Sequence, residues 1–578
     1  MKKHGLTQIL SVFIAINFLT AGVLVGPSAY ADTNLPAMGE GTELTTSEER
    51  RVGDQMAREI YRDPQFLDDP ILYEYVNGIW QELVAAAKQR GTLTVELQER
   101  FAWQVMLIQD GTVNAFALPG GYMGVQTGLI GVVGSRDELA SVLAHELSHI
   151  TQRHIARMIA QQKRMTPVMI AGMLLGALAA SKNPAAAQAL MIGGSAAMVQ
   201  SQLNFSRDME READRTGMGL MQPAGYVQSG FVTMFEKLQQ ANRMNDNGSW
   251  PYLRTHPLTT ERIADMHARL PAGLAKQKQD DGMVPLMMGA RAKVLSKPGL
   301  EVMNQWTALP EAPEFQRQTP SQQAGGWYLA AMAHSRMAHV GQASAAADKL
   351  DALTRGNAEA TRQVQLLRAD IALQAREPQR ALAALTTLAQ AVPTTAAGAS
   401  VQQHKVTTVS NAMTGEVSEA VITRGSDKSL SIGDVDPALA AQHPAQVVPA
   451  GMGMRTEWLM EAQALAALPG GSLPPSDASL SAVASALQTW VATQPKDGAA
   501  WQALATMRRL QNQPLRAIRA DAEARAAQYD YAAAVDRLRA GQDMARSSQQ
   551  TADYYEASII DTRLRELQSL AKEQATDK

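Results

Sequence analysis

The chain has 578 residues, is 46% hydrophobic and 19% charged, carries a formal net charge of −3 and has no cysteine. That length exceeds one hydrophobic core and calls for two or more domains. The missing cysteines exclude a disulfide framework, a lipid-bearing N-terminal cysteine and a thiolate-ligated metal, and the acidic balance speaks against nucleic acid as a partner.

In chain order, Lys2 and Lys3 precede an apolar run from Ile9 to Val25, and Ala29-Tyr30-Ala31 places small residues where a signal peptidase reads. Residues 1–31 are therefore expected to be a signal peptide cut before Asp32. A retained membrane anchor fits less well, since Asn17 and Gly22 interrupt the run. Ala102 to Ile108 and the run from Asn114 to Ile130 are rich in apolar and β-forming residues and are broken by Pro119-Gly120-Gly121. They predict a small sheet with a hairpin, one edge of it turned to the active site. Such an edge binds an extended peptide by main-chain hydrogen bonds; the alternative is a purely structural hairpin.

Asp137 to Met158 reads as one amphipathic, largely buried helix with a stripe of Leu139, Val142, Leu143, Leu147 and Ile150. It carries His145-Glu146-Leu147-Ser148-His149. Residues four apart lie one turn apart on one face, so both imidazoles reach one tetrahedral ion and Glu146 falls beside its open position. Zinc lowers the pKa of its bound water to roughly 7, and a carboxylate within hydrogen-bond reach takes that water's proton. The spacing alone also fits a surface helix with two histidines. Burial favours the metal, because unsatisfied buried polar groups are costly. The extended pattern with a further Gly and His is absent, since Gln152 and Ile155 occupy those places. His154, placed about 180° round the same helix, reads as a solvated or capping histidine.

Thr166 to Ser181 carries no charge and Pro184 to Gln200 is nearly as apolar, yet each is shorter than the ~20 residues of a spanning helix. Residues 166–202 read as a helical hairpin over the catalytic domain, serving as a lid or as a contact to membrane or partner. A second helical segment follows from Asn204 to Gly217. Glu210, Ala213, Asp214 and Gly217 share one face, where small residues let another helix approach and Asp214 can orient a ligand histidine. Glu212 shares its face with Asp208, Arg215 and Gly219, which looks solvated, so periodicity favours Glu210 over Glu212 as third ligand. The breaker-rich stretch from Asn242 to Gly248 reads as a loop leading to His256. A bland role for that histidine is to cap the next helix.

The motif His145-Glu146-x-x-His149 with Glu210-x-x-Ala213-Asp214 resembles the peptidase family of the CAAX prenyl proteases and the bacterial heat-shock membrane protease. Three further passages carry the likeness: Asn114-Ala115-Phe116-Ala117 with Gly120-Gly121, Thr151-Gln152-Arg153-His154, and Thr255-His256-Pro257-Leu258 with Arg262. Within that family the chain is most similar to a soluble periplasmic form with a tetratricopeptide tail. The resemblance implies one zinc ion per chain held by His145, His149 and Glu210, with Glu146 as general base. It further implies that Asp214 orients a ligand and that His256 either stabilises the oxyanion or occupies the water position in a resting state. Arg262 would pair with a carboxylate near the site; on spacing alone it is equally a helix-surface arginine. The implied clients are misassembled outer-membrane proteins, whose maturation it would also assist. The implied partner is the outer-membrane β-barrel assembly machinery, engaged through the repeats by a protein of the periplasm, peripheral to the outer membrane.

Beyond about residue 272 the texture becomes Ala-, Leu-, Gln- and Arg-rich and helical. Ala381, Leu385, Leu388 and Pro393 fit one degenerate tetratricopeptide unit, and Trp501, Leu504, Ala505, Ala517 and Ala524 fit another. An irregular helical bundle is the alternative to a solenoid. Residues 394–454, rich in Thr, Ser, Ala, Gly and Pro, look inserted, as a linker or a short β-hairpin. The expected architecture is thus mainly α with a small β-sheet. A zinc-peptidase domain over 32–272 precedes a tetratricopeptide-like α-helical solenoid, split into repeats over 273–393 and 455–578. The competing functional reading is a repeat-scaffold chaperone or binding module with a closed or structural zinc site.

Overall fold

The computed structural model describes residues 44–161, 207–243, 249–270, 282–391, 402–410, 417–424, 430–433, 455–468, 477–547 and 551–576. The expected signal peptide and the apolar 166–202 segment lie outside the described residues. The chain divides into two compact units, the first running to Met337 and including Asp348–Arg355.

In the first unit, α1 (Thr46–Arg62) opens with a capping box in which Thr45 and Glu48 satisfy each other's backbone N–H groups. Helix α2 (Pro70–Gln89) starts on the Asp69 cap with Pro at its first turn, and buries Leu72, Val76, Ile79, Trp80 and Leu83. After α3 (Val95–Arg100) come β1 (Gln104–Ile108), β2 (Ala115–Leu118) and β3 (Tyr122–Gln126). They form one sheet in the order β1-β3-β2, with β1 parallel and β2 antiparallel to β3. The hairpin turn needs Gly120 and Gly121 at φ of +74° and +87°, where a side chain would be strained. The expected strand run to Ile130 stops short, because Thr127–Val132 is a helix, α4. Gly128 there meets the backbone of Gly111 and Thr112 so closely that a Cβ would stand 2.2 Å from a carbonyl oxygen.

The central element is α5 (Arg136–Thr151), capped by Ser135 and buried from Glu138 to its end. The single helix expected over residues 137–158 is instead two. Arg153 adopts a φ of +52°, and a separate helix α6 (His154–Gln161) begins there in a new direction. Helices α7 (Arg207–Met221) and α8 (Ser229–Arg243) pack on α5, as do α2 and β2. Short α9 (Tyr252–Thr255) and α10 (Thr260–Arg269) follow.

The compact first unit continues past residue 272. Helices α11 (Met283–Leu295), α12 (Leu300–Ala308) and α13 (Pro320–Arg336) belong to it. Their composition resembles that of the later helices, but α11 is buried nearly all round and packs on α4 and α2. Its Arg291 is buried against Asp69, Nη2 to Oδ2 at 2.6 Å, so the helix also neutralises the cap of α2.

Val340–Thr354 forms α14, and the second unit continues with α15 (Ala358–Gln374), α16 (Pro378–Ala391), α17 (Arg455–Ala466), α18 (Asp477–Thr493), α19 (Gly498–Leu510), α20 (Pro514–Ala527), α21 (Tyr531–Ser547) and α22 (Thr551–Thr576). From α18 onward each helix packs on the next, so contacts are local in sequence. Ala381, Leu385, Leu388, Trp501, Leu504, Ala505, Ala517 and Ala524 are all buried. Within 394–454, the described residues form three antiparallel strands, β4 (Gln402–Ser410), β5 (Val417–Arg424) and β6 (Leu430–Gly433), one more than a hairpin.

Candidate metal centre

Four elements bring their side chains together. His145, Glu146 and His149 come from α5, Glu210 and Asp214 from α7, His256 from the end of α9 and Arg262 from α10; each is at most 4% exposed. Helix α7 lies close to α5 because Ala213 and Gly217 face it. A Cβ on Gly217 would stand 3.0 Å from the backbone of Ala144 and His145. One turn on α7 then separates Glu210, beside the imidazoles, from Asp214, behind His145.

His145, His149, Glu210 and His256 each offer one donor atom, all within 4.8 Å of one another. His145 Nε2 lies 3.0 Å from His149 Nε2 and 3.3 Å from His256 Nδ1, and His256 Nδ1 lies 3.1 Å from Glu210 Oε1. Ring nitrogens facing one another at such distances repel unless a proton or cation stands among them. Three imidazoles and a carboxylate form a donor set suited to a borderline ion such as zinc, so the residues fit a resident metal. His145 Nδ1 is 3.0 Å from Asp214 Oδ1, which turns its Nε2 lone pair inward.

The electrostatics agree. Burial opposes a charge on His145, but its hydrogen bonds to the Asp214 and Glu210 carboxylates outweigh it and raise its pKa to about 9. Carboxylates that favour a proton there favour any cation at that point. Burial, with the neighbouring imidazoles, holds His149 well below its ordinary value, so it stays a neutral ligand. Burial would raise Glu210, yet the charges of His256 and Arg262 bring it well below the usual carboxylate range. Arg262 grips Asp214 with two bonds of 2.6 and 2.7 Å, reaches Glu210 Oε2 at 2.9 Å and donates to the Pro257 carbonyl at 2.8 Å. It is thus buried in the site rather than on a helix surface.

Glu146 takes no part in the donor cluster. Its Oε2 accepts from the Ala117 N–H of β2 at 3.0 Å, and its Oε1 lies 3.3 Å from His256 Nε2. The β2 edge of the sheet, which pairs with no other strand among the described residues, therefore does face this site. His256 stacks on Tyr252 with ring centroids 4.7 Å apart and ends α9 as its C-cap, and the next helix is capped by Thr259, so His256 does not cap that following helix.

His154 departs from expectation. It is fully buried, with Nδ1 2.8 Å from His149 Nδ1 and Nε2 3.2 Å from Glu212 Oε2. The break at Arg153 turns α6 back toward the site, and no glycine in the sequence marks that break. Glu212 lies on the wetter face of α7, as the periodicity suggests, but bonds inward to His154 and to Arg157 at 2.9 Å. Its hydrogen bond from His154 lowers its pKa to about 2.

Residues 74–270 match the model of peptidase family M48. This segment belongs to peptidase family M48. The chain is 33% identical over 257 residues to the beta-barrel assembly-enhancing protease of Escherichia coli (strain K12), covering 43% of this chain and 51% of that one. The same-named protein of Yersinia pestis is 32% identical over 262 residues, 43% and 52% of the two chains. The mitochondrial metalloendopeptidase OMA1 of Schizosaccharomyces pombe is 31% identical over 179 residues, 31% of this chain and 50% of that one. The chain thus spans about half the length of the curated relatives it matches. Every residue of the donor cluster lies inside the M48 match.

Proposed function

We propose that the chain is a zinc-dependent endopeptidase of the periplasm that degrades misassembled outer-membrane proteins and assists their maturation. The observation that carries the peptidase reading is a buried carboxylate, Glu146, set beside a four-donor cluster and the β2 edge of the sheet. His145, His149 and Glu210 would hold the ion. Bound zinc would supply a Lewis acid and a water acidified to a pKa of about 7. Glu146 takes the proton of the attacking water and returns it to the leaving amine. Asp214 keeps His145 in the ligating tautomer, and Arg262 fixes Asp214.

The Ala117 N–H, now given to Glu146, is the group an extended peptide would meet on the edge of β2. His256, with its Nδ1 among the donors, holds the site in a closed four-donor arrangement. Catalysis then requires His256 to leave. That same arrangement favours, as the second reading, a scaffold with a shut or structural zinc. The envelope location, the client class and docking of the helical unit on the β-barrel assembly machinery draw on the relatives' names and the sequence resemblance.

The test incubates purified protein with casein and with an unfolded outer-membrane β-barrel protein. Glu146→Gln is expected to lower cleavage by about 10²- to 10⁴-fold with zinc content unchanged, while His256→Ala raises basal cleavage. Zinc-loaded wild type and His256→Ala that both fail to cut would leave the scaffold reading standing.

A further inference from the structure

The nitrogens of His149 are committed on both sides. Its Nε2 faces the donor cluster, 3.0 Å from His145 Nε2, and its Nδ1 faces His154 Nδ1 at 2.8 Å. Two ring nitrogens at that distance share one proton: one donates and the other accepts. A nitrogen that ligates a cation must keep its lone pair, so the proton of His149 sits on Nδ1 and His154 Nδ1 accepts it. The proton of His154 then sits on Nε2, where Glu212 Oε2 accepts it at 3.2 Å. Arg157 Nη1, 2.9 Å from the same Oε2, holds that carboxylate in place.

We propose that His154, held by Glu212, is a positioning residue of the metal centre: it fixes the tautomer and ring angle of His149 so that Nε2 presents its lone pair to the cation. The proposal rests on the cluster's being a metal site. It mirrors the service of Asp214 to His145, so each histidine of α5 has its own acceptor behind it. The two supports differ in chemistry. Asp214 is buried and charged, whereas the negative charge behind His149 stands one imidazole further out, on a carboxylate 37% exposed. This arrangement lets a second ligand be oriented without a further unscreened carboxylate in the core.

The test measures the zinc dissociation constant of the full chain by competition with a chromogenic chelator, with circular dichroism of the metal-free form as the folding control. His154→Phe keeps the ring's bulk and deletes the acceptor; the dissociation constant is expected to rise about 10- to 100-fold. His154→Gln, whose amide oxygen can accept from the same N–H, is expected to recover most of the loss, a rescue that a space-filling role would not show. A constant within about twofold of wild type in folded His154→Phe, on the scale of that effect, would overturn the proposal. Should His154→Phe not fold, Glu212→Leu decides: a smaller rise supports the relay and no change refutes it. Failure of the wild type itself to bind zinc would sink the metal-site reading instead, and the proposal with it.

Discussion

At the residue scale, the site is a set of buried charges that tolerate one another only in concert. Asp214 and Glu210 are both nearly inaccessible, and the Arg262 guanidinium touches both. Burial pushes Asp214 upward, but the Arg262 charge and hydrogen bonds bring it below its ordinary value. Arg262→Ala is therefore expected to destabilise the first unit by about 3–5 kcal/mol, since it leaves two buried carboxylates with imidazoles alone in place of the guanidinium they share. Urea unfolding of the metal-free protein measures this. A loss under about 1 kcal/mol, the surface-pair range, would show that water or another group replaces the guanidinium. This pairing was legible in the sequence only as one of two equal alternatives, because helical spacing says which face Arg262 occupies and not what covers that face.

At the element scale, the site depends on how closely α7 approaches α5. Gly217 sits at the crossing, and even a methyl group would touch the backbone of α5. Gly217→Val is expected to cost about 1–3 kcal/mol as overpacking, and to weaken zinc binding because Glu210 rides on the same helix. A melting curve with and without zinc separates the two effects; an unchanged zinc-induced shift would detach Gly217 from the site. The face shared by Glu210, Ala213, Asp214 and Gly217 was readable from a period of 3.6. The break between α5 and α6 was not. Arg153 enters the left-handed region without being glycine, so nothing in the local pattern separated His154 from the helix of His145 and His149.

At the scale of the whole molecule, the first unit extends well past the peptidase motifs. Arg291 on α11 is buried against Asp69 and near Tyr328 of α13. A chain ending at residue 272 would leave Asp69 buried and unpaired and the α4 side of the domain bare. It is expected to stay unfolded by circular dichroism, whereas a chain ending at residue 355 folds and binds zinc. Folding of the shorter form would refute the role given to α11. Acid response follows from the same pair and from Asp497 in the second unit. Burial raises both carboxylates, but Arg291 and Arg455 outweigh it, so each binds its proton less tightly when folded than when unfolded. The stabilisation is thus present above the ordinary Asp value near pH 4 and is lost as pH falls through the depressed folded values. Thermal melting followed downward from pH 5 is expected to fall steeply below about pH 4; a flat profile would contradict it.

By itself, the sequence determined what repeats locally: the helical spacing of His145, Glu146 and His149, the shared face of Glu210 and Asp214, the glycine hairpin and the helical texture of the second unit. Each follows from side-chain periodicity or from a backbone angle that few residues adopt. His256 and Arg262 were implied at that site by resemblance and not by spacing, and only the tertiary structure decided that the pair His154–Glu212 joins it and that α11 belongs with the first unit. Those are contacts between residues far apart in the chain, set by which buried charge finds which partner, and no local period records that.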